Sequence, residues 1–419
     1  MRVVVALEAR LIRTPDGQVW GRGWVNYPFW QRYLEVFDEV GVVARLRDAA
    51  EPPPGAQPIE GPGVRVHPIP YYVGPYEYVF RSLSVRRAIR AALQPADAAI
   101  LRAPGMMSTR LHAVLRAVGQ PYAVEVLGDP RDVFRAGAVR TSWRPLLRWW
   151  YARGLRRQCA EAAAVAYITD HVLQEGYPPA PGAHAVACSD IDLPDEAFAR
   201  GVRLPQPEQR AFHLLLVGSL QQLYKGPDVL LRALAVNVGR GLDLRLTILG
   251  EGRHRPEMER LALQLGLGDR VRFAGLLPAG DPVRALMDDS DLFVLPSRAE
   301  GQGRALLEAM ARGLPCVASA VGGIPELLAP EDLVPPANVE ALAEKIRAVL
   351  HSRQRLAQMA ARNLKRAADF HAYVLRARRR AFYEVVRDRT LQWQRRASGC
   401  TVAATARSPR DPTADGDEY

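Results

Sequence analysis

At 419 residues, with 48% hydrophobic and 24% charged positions, the chain has a globular composition and the length of two domains rather than one. No apolar run reaches the roughly 18 residues that cross a bilayer, and the start, Met1 to Arg10, is broken by Glu8 and lacks a small-residue cleavage site, so it predicts a strand and not a signal peptide. A net charge of +11 calls for an anionic partner; nucleic acid is set aside, because no helix-turn-helix, zinc-finger or RNA-binding sheet motif accompanies the charge.

In chain order, strands are expected at Val3–Leu7 and Val40–Leu46, with a helix over Phe29–Val40 leading into the second. Ala98–Leu101 reads as a strand ended by Arg102-Ala-Pro-Gly105, and Tyr122–Leu127 as one ended by Gly128-Asp-Pro130. Ala163–Ile168 is a short strand before a helix that Thr169 or Asp170 can cap. Such alternation predicts an α/β fold with a parallel sheet and ligands at the carboxyl ends of its strands. Leu204 to Arg210, polar and rich in proline, is the expected linker, and a second β/α series runs from Leu214 to about Leu350. A helical stretch from Arg353 to about Arg396 follows, and from Ala397 the composition predicts a disordered tail.

The densest positive charge lies between Arg140 and Arg157. Trp143, Leu146, Leu147, Trp150 and Leu155 fall near one helical face, with Arg144, Arg148 and Arg156 elsewhere around it. Two readings stand side by side: a helix lying in an anionic membrane interface, or a core helix with a solvated arginine face.

The chemistry concentrates further on. Asp291 to Leu295 is a buried-strand pattern ended by Pro296, and Glu300-Gly-Gln-Gly-Arg-Ala-Leu-Leu-Glu308 then runs through a loop into an apolar helix from about Arg304. Gly301 and Gly303 let backbone N–H groups approach a ligand, and the helix start suits a diphosphate. Glu300 and Glu308 can both face one cleft, where carboxylates accept hydrogen bonds from sugar hydroxyls. That pattern is a site for a sugar nucleotide.

With its Ala309-Met-Ala311 continuation, this segment resembles the signature of the family 4 (group 1) retaining glycosyltransferases, enzymes with the GT-B fold of two Rossmann-like domains facing across a cleft. Phe212 to Leu231, Leu244 to Gly252, Val271 to Leu276 and Val321 to Leu328 are similar to the family's strands and loops in order, so the resemblance covers about residues 211 to 350. It implies an acceptor-side domain over 1–205, a nucleotide-sugar domain over 206–370, a crossover helix at 371–396 packing back on the first domain, and the tail at 397–419.

Carried over residue by residue, the resemblance implies that Glu300 positions the donor sugar and that Glu308 binds ribose hydroxyls. Lys225 would neutralise charge on the departing diphosphate. Gly218 and Ser219 open the donor loop, Gly275 and Leu276 hold the base through their backbone, and Gly301, Gln302 and Gly303 line the donor. Many members carry an arginine where this chain has Ser219; Arg304 is either its replacement or a solvated first-turn side chain. Gly322 and Gly323 form either another ligand-facing turn or a helix entry. Gly17, Gly21 and Gly23 are scattered through the region where members often have a glycine-rich loop. Where relatives often place a histidine stands Gly128-Asp129-Pro130, and Asp129 either handles the acceptor proton or shapes a turn.

The implied reaction is metal-independent transfer of a sugar, with retained configuration, to a hydroxyl of a glycan or lipid-linked acceptor at the inner face of a membrane. No Asp-x-Asp signature stands in the expected setting, and no cofactor is expected. Cys159, Cys188, Cys316 and Cys400 form no C-x-x-C pair, which argues against zinc and suits a reducing cytoplasm. A nicotinamide dehydrogenase would need a Gly-x-Gly-x-x-Gly after the first strand, and the lone Gly250-Glu-Gly252 does not supply it. Two further alternatives are a degenerate member that binds sugar nucleotide as a scaffold, and a hydrolysing or phosphate-dependent enzyme on the same fold.

Overall fold

The computed structural model describes residues 1–23, 25–133, 143–202 and 211–405. The expected linker at 204–210, the Arg140 end of the basic segment and residues 406–419 of the expected tail lie outside them.

Among the described residues the first sheet has nine strands: β1 Arg2–Arg13, β2 Val19–Arg22, β3 Glu39–Asp48, β4 Ala56–Pro58, β5 Val64–Pro70, β6 Ala98–Ala103, β7 Ala123–Val126, β8 Ala164–Tyr167 and β9 His184–Ala187. Its parallel part runs β5-β3-β1-β6-β7-β8-β9. Val3 to Leu7 are all buried, as befits a strand covered on both faces. β1 continues well past the expected Leu7. Beyond a register shift between Ala6 and Arg10 it stays paired with β3 and then hairpins onto β2. Gly17, at φ 85°, belongs to that hairpin turn, and Gly21 packs against Ile59, so these glycines serve the hairpin rather than a phosphate loop. The helix expected over Phe29–Val40 is Tyr27–Leu34 (α1), because Asn26 caps it at Phe29 N and the β-branched run from Val40 joins β3.

The second sheet is parallel in the order β12-β11-β10-β13-β14-β15, from β10 Phe212–Val217, β11 Leu244–Leu249, β12 Val271–Gly275, β13 Leu292–Leu295, β14 Cys316–Ser319 and β15 Leu333–Val334. The order reverses direction between β10 and β13, the point at which a doubly wound sheet opens a crevice at its carboxyl edge.

Other helices of the first domain are α2 Gly74–Ala92, α3 Met106–Ala117, α4 Pro130–Val133, α5 Arg144–Glu161 and α6 Val172–Gly176. The second domain adds α7 Pro227–Gly239, α8 Arg255–Gln264, α9 Asp281–Asp288, α10 Arg304–Ala311, α11 Val339–Leu350 and α12 Arg353–Ala367. The last helix, α13 Ala372–Thr405, crosses back: Leu375 packs in the core of the second domain, whereas Phe382, Tyr383 and Val386 pack under β1 and β3. It runs past Ala397, where composition predicts the tail to begin. Ile191, Leu193 and Ala197, which precede the expected linker, already pack in one cluster with Leu306 and Met310.

Only the carboxyl-terminal half of α5 is core. Leu155 and Cys159 are buried, while Trp143, Leu146, Trp149 and Trp150 are exposed.

Candidate functional site

At the switch point the loops after β10 and β13 meet. Lys225 closes a short turn, Leu223–Lys225, and its Nζ pairs with Glu300 Oε1, which also accepts from Ser297 Oγ at 2.8 Å. Both side chains are largely buried. Burial alone would lower the Lys225 ammonium; the Glu300 carboxylate outweighs that and raises it, so Lys225 keeps its charge. Local packing explains the glycines. A Cβ on Gly218 would sit 2.8 Å from the Lys225 stem, and one on Gly226, at φ 70°, would sit 2.1 Å from Pro296 O. Arg298 bolts the two loops together through Asp228 at 2.7 Å and Leu223 O at 2.8 Å.

Behind Glu300, α10 starts at Gly303 (φ 92°) with no side-chain cap, so its first-turn N–H groups and positive dipole end face the same crevice. Leu306, Leu307 and Met310 seat the helix in the core. The carboxylate of Glu308, one turn in, accepts no hydrogen bond and makes no ion pair within the described residues. Burial pushes its carboxyl up, and Arg304 and Arg284 offset only part of that. The exposed Arg304 also acts on Asp190 of the facing segment. Burial works against that carboxylate, yet Arg102, Arg32 and Arg304 hold it below the usual range.

On the far side of the crevice, Ser219 is exposed and spends its hydroxyl locally, accepting from Gln221 N at 3.1 Å. Gly250 N donates to Gly275 O at 2.8 Å, and a Cβ on Gly250 would sit 1.9 Å from Gly218 O, so three strand ends are laced together there. Leu276 beyond Gly275 is exposed.

Two sequence expectations, for Gln302 and Gly301, are corrected by contacts across the domains, and for Asp129 contacts within the first domain favour the turn over the acceptor role. Gln302 does not turn toward the crevice: it is buried, donates to Ile168 O and accepts from Ser189 Oγ. Gly301 is pressed on the first domain, where a Cβ would sit 2.6 Å from Leu127 O, so its missing side chain serves that contact rather than a ligand's approach. Asp129 is consumed by a turn. It accepts from Arg131 N at 2.7 Å, pairs with the Arg131 side chain at 2.8 Å and accepts from Tyr177 OH, which leaves little capacity for an acceptor proton. Gly322 and Gly323 back the loop: Gly323 N donates to Gly301 O at 2.8 Å, and a Cβ on Gly322 would sit 1.9 Å from Glu300 O. Sequence reasoning missed Ser297, Arg298, Arg284 and Glu326. Only Arg298, directly after the strand-ending Pro296-Ser297, carried a local cue.

Residues 205–366 match the Glycosyl transferases group 1 family. The second domain is that of a group 1 glycosyltransferase. The chain is 24% identical to Protein CapJ of Staphylococcus aureus over 83% of the chain and 86% of CapJ. It is 37% identical to the D-inositol 3-phosphate glycosyltransferase of Streptomyces griseus over 40% of the chain, a match that spans only 36% of that relative's length. Among solved structures, Anabaena Alr3699/HepE in complex with UDP-glucose superposes with a TM-score of 0.62 at 16% identity, over 90% of this chain and 98% of that one. The fold is GT-B, with two Rossmann-like domains.

Proposed function

We propose that this glycosyltransferase moves a sugar from a nucleoside diphosphate sugar to a hydroxyl of a glycan or lipid-linked acceptor, with retention of configuration and without a metal, in polysaccharide or cell-envelope glycan synthesis. One observation carries the reading: the Lys225–Glu300 pair lies beside an uncapped helix start, with the unpartnered Glu308 carboxylate one turn further on. A diphosphate fits between Lys225 and the first turn of α10, the ribose hydroxyls satisfy Glu308, and the sugar hydroxyls reach Glu300. The bond from the anomeric carbon to the diphosphate oxygen breaks as the acceptor oxygen attacks the same face, and the acceptor proton passes to the departing diphosphate. Lys225 stabilises the negative charge released there. HepE's UDP-glucose complex supports a sugar nucleotide as donor.

The test is a panel of UDP-, GDP- and ADP-sugars incubated with the protein in chelator, with nucleoside diphosphate release followed by mass spectrometry. Release from one donor, abolished by Glu300→Ala, is the expected result. Tight donor binding without release, even with lipid diphosphate acceptors present, would leave a scaffold instead.

A second element of the reading is a contact with the inner face of a membrane. Beside the exposed tryptophans of α5, the α2 residues Tyr76, Val79, Phe80 and Leu83 are exposed, and a groove of about 560 Å³ between α3 and α5 is lined by Arg110, Arg116, Arg153 and Arg157. Among the described residues no helix is long and apolar enough to cross a bilayer, so attachment would be peripheral. Vesicles containing phosphatidylglycerol are expected to sediment the protein at low salt and pure phosphatidylcholine vesicles are not; equal behaviour on both would remove this element.

A further inference from the structure

We propose that Glu326 is a positioning residue that carries domain closure onto the sugar-facing loop; this rests on the role given to Glu300 above. Glu326 ends a short turn, Ile324–Glu326, of the second domain, but its carboxylate is spent entirely on the first. Its Oε2 accepts from Asp170 N at 2.5 Å, and its Oε1 accepts from His171 N at 3.0 Å and Val172 N at 2.6 Å. At the start of α6, among the described residues, His171 makes no side-chain cap and Thr169 Oγ1 accepts only from Leu173 N, at 3.1 Å, so Glu326 supplies from the other domain the acceptors for the three preceding N–H groups. Arg366 of the second domain adds an ion pair to Asp170 at 2.5 Å.

The other end of the same turn is bonded to the sugar loop. Gly323 N holds Gly301 O, Gly322 lies directly against Glu300 O, and Gly323 lies so close to Thr169 that a Cβ would meet its methyl at 2.7 Å. Three charge-assisted bonds therefore exist only while the domains are closed, and the segment that makes them is the one that backs Glu300. Opening the cleft strands the carboxylate and the three N–H groups together and carries Glu300, still held by Lys225 and Ser297 within the second domain, away from the acceptor side. Donor binding draws on residues of the second domain alone, so it does not need this contact. Transfer does, because Glu300 must be set against an acceptor held by the first domain.

The test compares wild type with Glu326→Ala and Glu326→Gln by solution X-ray scattering without nucleotide, donor Kd by calorimetry, and steady-state rates. Glu326→Ala is expected to increase the radius of gyration, to leave donor Kd within about twofold, and to lower kcat about tenfold. Glu326→Gln keeps one acceptor oxygen and is expected to recover part of the closure and the rate. A residue that only stabilised the fold would instead move the melting temperature and donor Kd together. Unchanged scattering in both variants overturns the proposal. The scattering arm reads closure without turnover, so failure of the clamp is distinguished from failure of the transferase reading. Where the alanine variant does not fold, the glutamine variant answers the same question.

Discussion

Lys225→Ala is expected to lower kcat by about 10²–10³-fold, the loss typical of removing one preorganised group from developing negative charge. The ammonium sits at the switch point of the second sheet, held by Glu300 and braced by the Arg298–Asp228 pair. Its raised pKa means that the charge is present throughout the neutral range. The stabilising contribution of the pair is complete below the ordinary lysine value of 10.5 and is lost only as pH climbs through the raised one. The same substitution leaves the Glu300 carboxylate nearly buried with Ser297 Oγ as its remaining partner among the described residues, which costs about 3–5 kcal/mol of stability. These two effects separate cleanly. Lys225→Ala combined with Glu300→Gln removes the stranded charge and is expected to regain most of the stability in urea unfolding, yet none of the rate. A Lys225→Ala enzyme within tenfold of the wild-type kcat would show that the leaving group draws its charge from elsewhere, with Arg304 the first residue to test.

The parts of this site that the sequence made legible are those whose meaning is local. Glu300 and Glu308 at their spacing, the strand ended by Pro296, and Lys225 behind a buried strand each announce a side-chain type on a defined element. Their convergence follows from strand order at the switch point. What stayed hidden depends on a partner far away in the chain. Gln302 sits among glycines and reads as a ligand contact until Ile168 and Ser189 are seen to take its amide. Asp129 beside a proline was open to two readings until Tyr177, 48 positions on, was found on its carboxylate. Glu326 carries no local cue, because its three donors are backbone groups of the other domain.

The fold shows the same division. Strand alternation predicted the parallel sheets, but not that β1 would run on into a hairpin, since the pairing of Ile12 with Trp20 is set by β3 and β2 together. Helical periodicity placed Trp143, Leu146 and Trp150 with Leu155 on one face. Whether anything covers that face depends on neighbours, and only Leu155 is covered.

Glu308→Gln is expected to weaken donor binding by about 10–100-fold while making the free protein more stable. In the free protein the carboxylate has no hydrogen bond within the described residues, and burial raises its pKa above the usual 4.5. The sign follows from that direction. An acid whose folded value is raised binds its proton more readily when folded, so the ionised form is penalised in the fold. That penalty is absent below 4.5 and complete above the raised value, and hence is fully present at neutral pH. Glutamine has no charge to desolvate. A gain of about 1 kcal/mol would appear as a rise of about 2–4 °C in the thermal midpoint. Ribose hydroxyls bonded to a carboxylate contribute about 1.5–3 kcal/mol each, and the amide retains a single acceptor oxygen, which sets the expected loss in affinity. The wild-type Kd should also rise as pH falls through the raised value, whereas the variant's should stay flat. Calorimetric titrations at several pH values, beside melting curves of both proteins, read all of this. A variant no more stable than wild type and equally tight for donor would mean that the Glu308 carboxylate finds its partner in the protein, and the nucleotide would then have to be anchored by the diphosphate contacts alone.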